Sequence, residues 1–592
     1  MKQFFKFLFS SFLGTILALL VLFFILMGSI AVLIPKSDPV SIDDNSILSL
    51  NFSGPISDRT SGNPFEESNF NFMSFENKGM GLNELLETID KAKRDDKIKG
   101  IYVQPGNIQA GMATIEEIRD ALADFKSSGK FILSYSDYYP QRAYYLASVA
   151  DKIYLNPQGA LEHVGLRSEL MFFKKALDKY GIEPEIIRGS NNKFKSAVEP
   201  FMYEKMSDAN REQMETYMGS LWNKMLREIS SSRNISIDEL NRLADELSIG
   251  NANDAVNFGL VDATKYLDEV HTELSVMSGE EADEEPELVS YGEYKNAPDL
   301  NREIKGLAKN KVAVIYASGE ITMGKGSSTV IGSEGISEAI REARKDSAIK
   351  AIVLRVNSPG GSALASDVIL REMALAKEVK PVVVSMGDVA ASGGYYIACM
   401  ADTIVASENT LTGSIGVFGL FFNVEKLMNE RIGLTFDRVK TNEYSDIMSG
   451  TRKITDFERQ YIQKSVDDIY DTFIGYVAEG RKLTKEEVDA MGQGRVWSGE
   501  NAKANGLIDV YGGLSDAIKI AADMAQLEEY RTVDLPEQKE TLEYLMENLE
   551  LETSTYFMKR KLGENYLYFQ LLEKELNSQG IMARIPYHIS IH

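Results

Sequence analysis

The chain has 592 residues, of which 44% are hydrophobic and 26% charged, a length that suggests about three or four globular units. Aspartate and glutamate number 88 against 64 lysine and arginine, giving a net charge of −24, which argues against nucleic acid or an anionic membrane surface as the main partner. The single cysteine, Cys399, excludes an internal disulfide and a cysteine-rich metal site, and we expect it to be a small core residue.

Residues 1–36 form the first predicted unit, a membrane anchor. An uncharged run of 28 residues, 7–34, follows Lys2 and Lys6. About 20 apolar residues span a bilayer, whereas the apolar region of a cleaved signal peptide has only about 7–15. Because the positive residues precede the run, we expect the N-terminus to be cytoplasmic. The chain after Lys36 should then lie outside the inner membrane, in the periplasm of a two-membrane bacterium.

The rest of the chain repeats itself at an offset of 251 residues. Residues 95–101 match 346–352, and residues 144–147 match 395–398. Each copy alternates short β-rich runs with amphipathic helical stretches, which is typical of βαβ units. The sequence therefore predicts an α/β fold with two related domains in tandem.

Composition and the repeat set the predicted domain boundaries. The first repeat covers residues 45–275 and the second 309–535. An acidic, solvated linker is predicted at 276–308, since Gly279–Glu287 contains five Glu and one Asp. The tail, residues 536–592, is mostly helical by pattern and has no predicted function.

In the second repeat the hydrophobic pattern separates strands from helices clearly. The predicted strands are Val312–Ala317, Ile352–Val356, Val382–Ser385 and Thr403–Val405, and the predicted helices are Gly335–Lys345, Leu364–Ala376 and Thr455–Glu479, the last opening with a capping box.

Ser392 is the first candidate for chemistry. It lies between an apolar run at 381–385, which reads as a buried strand, and a predicted helix at 397–401. Small neighbours, among them Gly393 and Gly394, leave room for a substrate backbone. A helix N-terminus also offers free N–H groups to a developing oxyanion. Taken alone, the stretch fits a plain turn with a serine cap equally well.

The two repeats differ at this point of the sequence. Ser392 aligns with Gln141, and the glycines after it align with Arg142 and Ala143. A second glycine-rich stretch, residues 355–361, aligns with residues 104–110, which lack the paired glycines. The candidate chemistry is therefore intact in the second repeat and absent from the first.

A serine nucleophile needs a base. The four histidines are His163, His271, His588 and His592, and none lies in the second repeat, so a Ser-His-Asp triad is not expected. A neutral lysine is the usual substitute, because a buried amine loses several pK units and can accept a proton. Composition cannot choose among the many lysines of the chain.

Three segments together resemble the S49 family of serine peptidases in its long, tandem-repeat form. They are Lys195–Phe201, Asn357–Gly361 and Ser392–Tyr396. The resemblance covers about residues 1–535, including the anchor. It implies a crotonase/Clp-like α/β fold for each repeat and a catalytic Ser/Lys dyad.

The resemblance also assigns residues to roles. Ser392 corresponds to the nucleophile and Lys195 to the general base. Ser414, in the segment 412–417, corresponds to the serine that hydrogen-bonds the lysine. The backbone amides of Gly361 and Gly393 correspond to the oxyanion donors.

The repeats agree with this division of roles. Lys195 aligns with Ser445, so the second repeat lacks the lysine while the first lacks the serine. We interpret Ser358 and Ser362 as turn and cap serines. Asp388 is interpreted as a loop residue that forms hydrogen bonds rather than as an acid catalyst.

The resemblance implies a membrane-anchored serine endopeptidase that degrades signal peptides left in the membrane after secretion. It further implies a homo-oligomer, a tetramer in the family, and no metal or cofactor. Two alternatives stay open: a crotonase-like enzyme acting on acyl-CoA, and a non-catalytic membrane scaffold. The extracytoplasmic location counts against the first, and the complementary losses in the two repeats count against the second.

Overall fold

The computed structural model describes most of both predicted repeats. The described residues are 40–60, 79–299, 308–538 and 580–585, with residues 3, 6–7, 9–18 and 21 near the N-terminus. Much of the predicted anchor and most of the predicted tail lie outside them. Within this part of the chain, no helix combines the length and the apolar character needed to cross a membrane.

A six-stranded sheet forms the centre of the first repeat. Its strands are β1 (Ser46–Asn51), β4 (Ile98–Gln104), β5 (Phe131–Tyr139), β6 (Lys152–Leu161), β8 (Ala263–Thr264) and β9 (Leu288–Ser290). Their order is β8-β6-β5-β4-β1-β9, and neighbouring strands are parallel. A short pair, β2 (Ile56–Ser57) and β3 (Met80–Gly81), lies beside it.

The helices of the first repeat connect these strands, as parallel pairing requires. They are α1 (Leu82–Arg94), α2 (Met112–Lys126), α3 (Gln141–Ala147), α4 (Lys174–Tyr180), α5 (Glu199–Met202), α6 (Asp208–Arg233), α7 (Ile237–Asp245), α8 (Ala252–Asn257), α9 (Leu267–Ser278) and α10 (Tyr291–Tyr294).

The second repeat has a sheet of the same kind. Its strands are β10 (Lys311–Ser318), β14 (Ile349–Ser358), β16 (Val382–Ala391), β17 (Thr403–Ala406), β18 (Leu411–Gly413), β20 (Val496–Ser498), β21 (Val510–Tyr511) and β22 (Arg531–Leu535). The order is β20-β18-β16-β14-β10-β22; β17 also pairs with β16, and β21 pairs with β17. The helices are α11 (Ser333–Lys345), α12 (Ala363–Lys377), α13 (Gly393–Ala398), α14 (Asp456–Arg481), α15 (Lys485–Met491), α16 (Gly499–Ala504) and α17 (Leu514–Met524).

These elements confirm the predicted α/β class with parallel sheets. Each strand and helix predicted in the second repeat is present, and all but one lie close to their predicted bounds; β16, predicted to end at Ser385, continues to Ala391. The predicted capping box is present as well, since Thr455 and Glu458 cap α14 reciprocally. The helix predicted at 397–401 begins earlier, at Gly393, so Ser392 directly precedes it.

The two central sheets share their strand register. Tyr139 pairs with Leu161 across β5 and β6. Ala390 pairs with Thr412 across β16 and β18, which is the same pair 251 residues later. The central strands are buried along most of their length, which explains their runs of Val, Ile and Leu.

A third sheet joins segments that are far apart in the chain. It contains β7 (Glu183–Arg188), β11 (Glu320–Thr322), β12 (Gly326–Ser327), β13 (Val330–Gly332), β15 (Gly360–Ser362), β19 (Phe418–Asn423) and β23 (Gly580–Arg584). The order is β12-β13-β11-β15-β23-β19-β7. In the predicted tail, residues 580–584 pair as a strand with β15 and β19, whereas most of the stretch predicted to be helical lies outside the described residues.

Buried ionic contacts hold the two repeats together. The guanidinium of Arg355, on β14, lies 2.7 Å from the carboxylates of both Asp58 and Glu117 in the first repeat. Asp388, on β16, accepts hydrogen bonds from the backbone N–H (2.9 Å) and the hydroxyl (2.7 Å) of Thr114 at the start of α2. These contacts fix the relative position of the two halves of the site described next.

Candidate active site

Ser392 occupies the junction between β16 and α13. Its backbone has φ 56° and ψ −113°, a conformation that L-residues seldom adopt. The backbone N–H donates to the carbonyl of Gly413 at 2.8 Å, which holds the turn against β18. A Cβ placed on Gly394 would lie 2.7 Å from the carbonyl oxygen of Ser358, so the glycine after the turn allows close packing.

Lys195 reaches this serine from the first repeat. It lies in the turn after β7 and is 1% exposed. Its Nζ lies within hydrogen-bond distance of the Oγ of Ser392, at 2.9 Å, and of the Oγ of Ser414, at 3.0 Å. A Cβ placed on Gly494 would lie 2.5 Å from the Cβ of Lys195, so glycine there makes room for the lysine stem. Two residues 197 positions apart are thus in direct contact.

Burial sets the protonation of this lysine. Removal from water lowers the pKa of Lys195 well below its ordinary value, because the ammonium form loses its hydration. The ring of Phe418 lies 5.9 Å from Nζ and forms part of the apolar surround. A neutral amine in contact with a hydroxyl can take its proton, so the pair can generate a serine nucleophile.

Ser414 is positioned to orient the lysine. It follows β18 with φ 51°, and its backbone N–H donates to the carbonyl of Arg495 at 2.7 Å. Both its hydroxyl (3.0 Å) and its backbone carbonyl (3.1 Å) accept from the Nζ of Lys195. Two acceptors on one residue fix the direction in which the amine points.

The two predicted oxyanion donors, Gly361 and Gly393, belong to segments that pack against each other. The N–H of Gly360 is already bonded to the hydroxyl of Ser358 at 3.1 Å, which leaves Gly361 as the next amide of this turn. A Cβ placed on Gly360 would lie 2.7 Å from the backbone nitrogen of Gly393. Gly393 begins α13, where backbone N–H groups lack intrahelical partners. The turn at Gly360 and Gly361 therefore packs directly against the start of α13, next to Ser392.

Several other residues singled out in the sequence lie away from the contact between Lys195 and Ser392. Ser362 caps α12, as interpreted, by accepting from the N–H of Ala365 at 3.3 Å. Asp388 does form hydrogen bonds, but it lies on β16 and not in a loop. Burial raises the pKa of the Asp388 carboxyl and raises that of the Cys399 thiol to about 12. Cys399 is buried and free, consistent with a core residue.

Sequence reasoning missed Gln213, which holds the two neighbours of Lys195, Phe194 and Ser196, in place. Its amide donates to the carbonyl of Phe194 at 3.1 Å and to the hydroxyl of Ser196 at 2.8 Å. Its Oε1 accepts from the N–H of Val496, on β20 of the second repeat, at 3.1 Å. The only sequence signal was a polar residue beside Met214 on the buried face of α6.

Comparisons with known proteins find similarity to proteases over most of the chain. The profile of Peptidase family S49 matches residues 124–281 and 374–528. Protease 4 of Salmonella typhi is 38% identical over 480 residues, covering 79% of this chain and 76% of that protein. Protease 4 of Haemophilus influenzae is 37% identical over 452 residues, 74% of this chain and 72% of its own. The chloroplastic serine protease SPPA of Arabidopsis thaliana is 33% identical over 497 residues, 83% and 71% of the two chains.

Proposed function

The chain belongs to Peptidase family S49 and is a serine protease, and from this premise we propose that it is an endopeptidase with Ser392 as nucleophile and Lys195 as general base. The observation that carries the proposal is the 2.9 Å contact between the Nζ of Lys195 and the Oγ of Ser392. Both side chains are buried, and burial favours the neutral amine that a general base requires.

The proposed reaction uses these groups in two steps. The Oγ of Ser392 bonds to the substrate carbonyl carbon while its proton passes to Lys195, and the amides of Gly361 and Gly393 stabilise the oxyanion. The peptide C–N bond then breaks, Lys195 returns the proton to the leaving amine, and an acyl ester stays on Ser392. Water attacks this ester and gives a proton to Lys195. The carboxyl product leaves as Ser392 regains its proton.

A phosphonylating probe that reacts with activated serine hydroxyls tests the dyad. We expect mass spectrometry to locate the label on Ser392, and labelling to slow strongly in Lys195→Ala because the hydroxyl loses its base. Labelling of another serine, or an unchanged rate in Lys195→Ala, would contradict the assignment. A folded chain that no probe labels would instead support a non-catalytic scaffold.

We further propose that residues 7–34 anchor the protease in the inner membrane, where it degrades signal peptides left after secretion. The uncharged run behind Lys2 and Lys6 supports the anchor and its orientation. A reporter fused after Lys36 should be exported, and protease added outside spheroplasts should digest most of the chain. Protection of the second repeat in that assay would contradict the proposed orientation.

The fold of each repeat and the assembly complete the proposal. We propose that both repeats have the crotonase/Clp-like fold, which the shared register of their parallel sheets supports. The family resemblance suggests a homo-oligomer, a tetramer in related proteins. Light scattering of the detergent-solubilised protein measures its mass, and a value equal to one chain would contradict assembly.

A further inference from the structure

The C-terminal strand β23 lies inside the site. It runs antiparallel to β15 on one side, pairing Gly360 with Arg584 and Gly361 with Ala583. On the other side it runs antiparallel to β19, pairing Phe418 with Met582. A segment between two strands forms backbone hydrogen bonds with both of them. An extended peptide binds in the same way when it adds as a strand to a sheet. Residues 580–585 therefore show how the cleft between β15 and β19 holds a peptide.

The register places one peptide bond at the nucleophile. A Cβ on Gly360 would lie 2.1 Å from the carbonyl oxygen of Ala583, and one on Gly393 would lie 2.9 Å from the same atom. The carbonyl oxygen of Ala583 thus lies between Gly360 and Gly393, and Ala583 is the residue that pairs with Gly361. The bond between Ala583 and Arg584 is then in the position of the scissile bond.

The side chains beside this bond make distinct contacts. Met582 is buried among apolar residues of both repeats, including Leu177, Val198 and Phe418. Arg584, on the other side of the bond, forms an ion pair of 3.2 Å with Glu320 on β11. The side chains of Arg584 and Glu320 are only 8% and 14% exposed, so water screens the pair weakly.

The backbone beyond the bond is also held. The N–H of Ile585 donates to the carbonyl of Pro359 at 2.8 Å, and the Ile585 side chain is buried. Arg584 is therefore flanked on both sides by residues with fixed backbone positions. Its guanidinium meets Glu320 because the register directs it there.

We propose that Glu320 is a specificity-determining residue, which selects a basic side chain directly after the scissile bond of a substrate bound in the register of residues 580–585. The inference rests on the proposed peptidase function and adds a substrate preference to it. Backbone pairing accepts any extended sequence, so the choice between substrates depends on side-chain sites such as the one at Glu320. A partly buried carboxylate favours arginine or lysine and disfavours an uncharged residue there.

The test uses two peptides with the sequence of residues 578–588, one unchanged and one with Gln in place of Arg584. Mass spectrometry should show cleavage between Ala583 and the next residue in both. In the wild-type enzyme, kcat/KM should favour the arginine peptide by about tenfold to a hundredfold, the value of a hydrogen bond to a charged group. The tethered C-terminal segment competes equally with both peptides, so it cancels in the ratio.

Substitutions then assign the preference. Glu320→Gln should bring the ratio to about one, and Glu320→Lys should favour a peptide with Glu at that position. Glu338→Gln makes the same chemical change on an exposed face of α11 and should leave the ratio unchanged. Because each ratio is measured within one preparation, partial unfolding of a variant does not alter it.

Two outcomes would overturn the inference: a wild-type ratio near one, or a preference that persists in Glu320→Gln. Cleavage at another bond of the unchanged peptide would refute the register. Failure of the proposed function looks different, since Ser392→Ala would then cleave both peptides as well as the wild type does.

Discussion

The two repeats place different side chains on the same turn. At Ser392 the backbone is strained, with φ 56°, and the hydroxyl faces Lys195. At the equivalent position Gln141 begins a regular helix after Pro140. The Oε1 of Gln141 accepts from the N–H groups of Val164 (2.9 Å) and Gly165 (3.0 Å), so the side chain stabilises a neighbouring loop. The first repeat uses the turn for stability, and the second retains strain at a reactive group.

The largest expected effect on activity comes from replacing Ser392 or Lys195, with Gln141 of the first repeat as the control position. We expect Ser392→Ala and Lys195→Ala each to reduce kcat/KM by about ten-thousandfold or more, with the double variant no worse, because the two groups act as a unit. Gln141→Ala should leave the activity of the folded protein nearly unchanged. Hydrolysis of a peptide substrate measures this, with circular dichroism to check folding. Substantial activity in Ser392→Ala would remove the nucleophile assignment.

Mixing inactive chains tests whether both repeats of one chain are needed. In this structure Lys195 and Ser392 of the same chain meet, so a mixture of Ser392→Ala and Lys195→Ala chains should recover no activity after subunit exchange. Isotope-labelled chains and native mass spectrometry would show that exchange occurred. Recovery to about a quarter of wild-type activity, the fraction expected for random pairing between chains, would contradict a within-chain site.

The sequence predicted the local part of the site and not its distant contacts. Strand and helix periodicity located the turn at Ser392, because both elements are signalled by neighbouring residues. Lys195 came from the family resemblance, since no local pattern links residues 197 positions apart. The strand at 580–584 was missed because a short apolar run fits a helix or a strand equally, and its partners lie more than 150 residues away.

The contact between repeats can be tested through Arg355. Its counterpart in the first repeat is Gln104, which donates to the hydroxyl of Tyr102 at 3.2 Å. Arg355→Met leaves the buried carboxylates of Asp58 and Glu117 without their cation, which should lower the free energy of unfolding by about 3–5 kcal/mol. Gln104→Met loses one neutral hydrogen bond and should cost about 1 kcal/mol. Urea denaturation measures both; equal losses would show that the ionic contact adds nothing.

Replacing Ser414, which orients Lys195, should reduce activity less than replacing Lys195 itself. Ser414→Ala removes one of the acceptors of the Lys195 amine and should lower kcat/KM by about tenfold to a thousandfold. His163, the equivalent residue of the first repeat, contacts the carbonyl of Leu240 instead, so His163→Ala should affect stability and not the pH profile.

In the wild type, kcat/KM should rise with pH as Lys195 loses its proton. A profile that is flat from about pH 6 to 9 would contradict a lysine base.

The smallest effect concerns what the buried lysine does to stability. Burial lowers the folded-state pKa of Lys195 below its ordinary value, so between these two values the unfolded chain binds a proton that the folded chain does not. The free energy of unfolding therefore rises with pH across that window and loses this contribution as pH falls through the folded pKa. Lys195→Met removes the titration while keeping a similar length of side chain.

Comparison of the two proteins isolates that contribution. The hydrogen bonds lost in Lys195→Met shift its stability by a constant amount, whereas the titration changes with pH. As pH is lowered from about 10.5, the ordinary lysine pKa, the free energy of unfolding should fall less in the variant than in the wild type. The difference in free energy between the two proteins should level off below the folded-state pKa of Lys195. Lys193→Met, at an exposed position on the same segment, should follow the wild-type curve. Parallel curves for Lys195→Met and the wild type would mean that Lys195 stays protonated when folded. The first repeat would then supply the second with a cation and not a base.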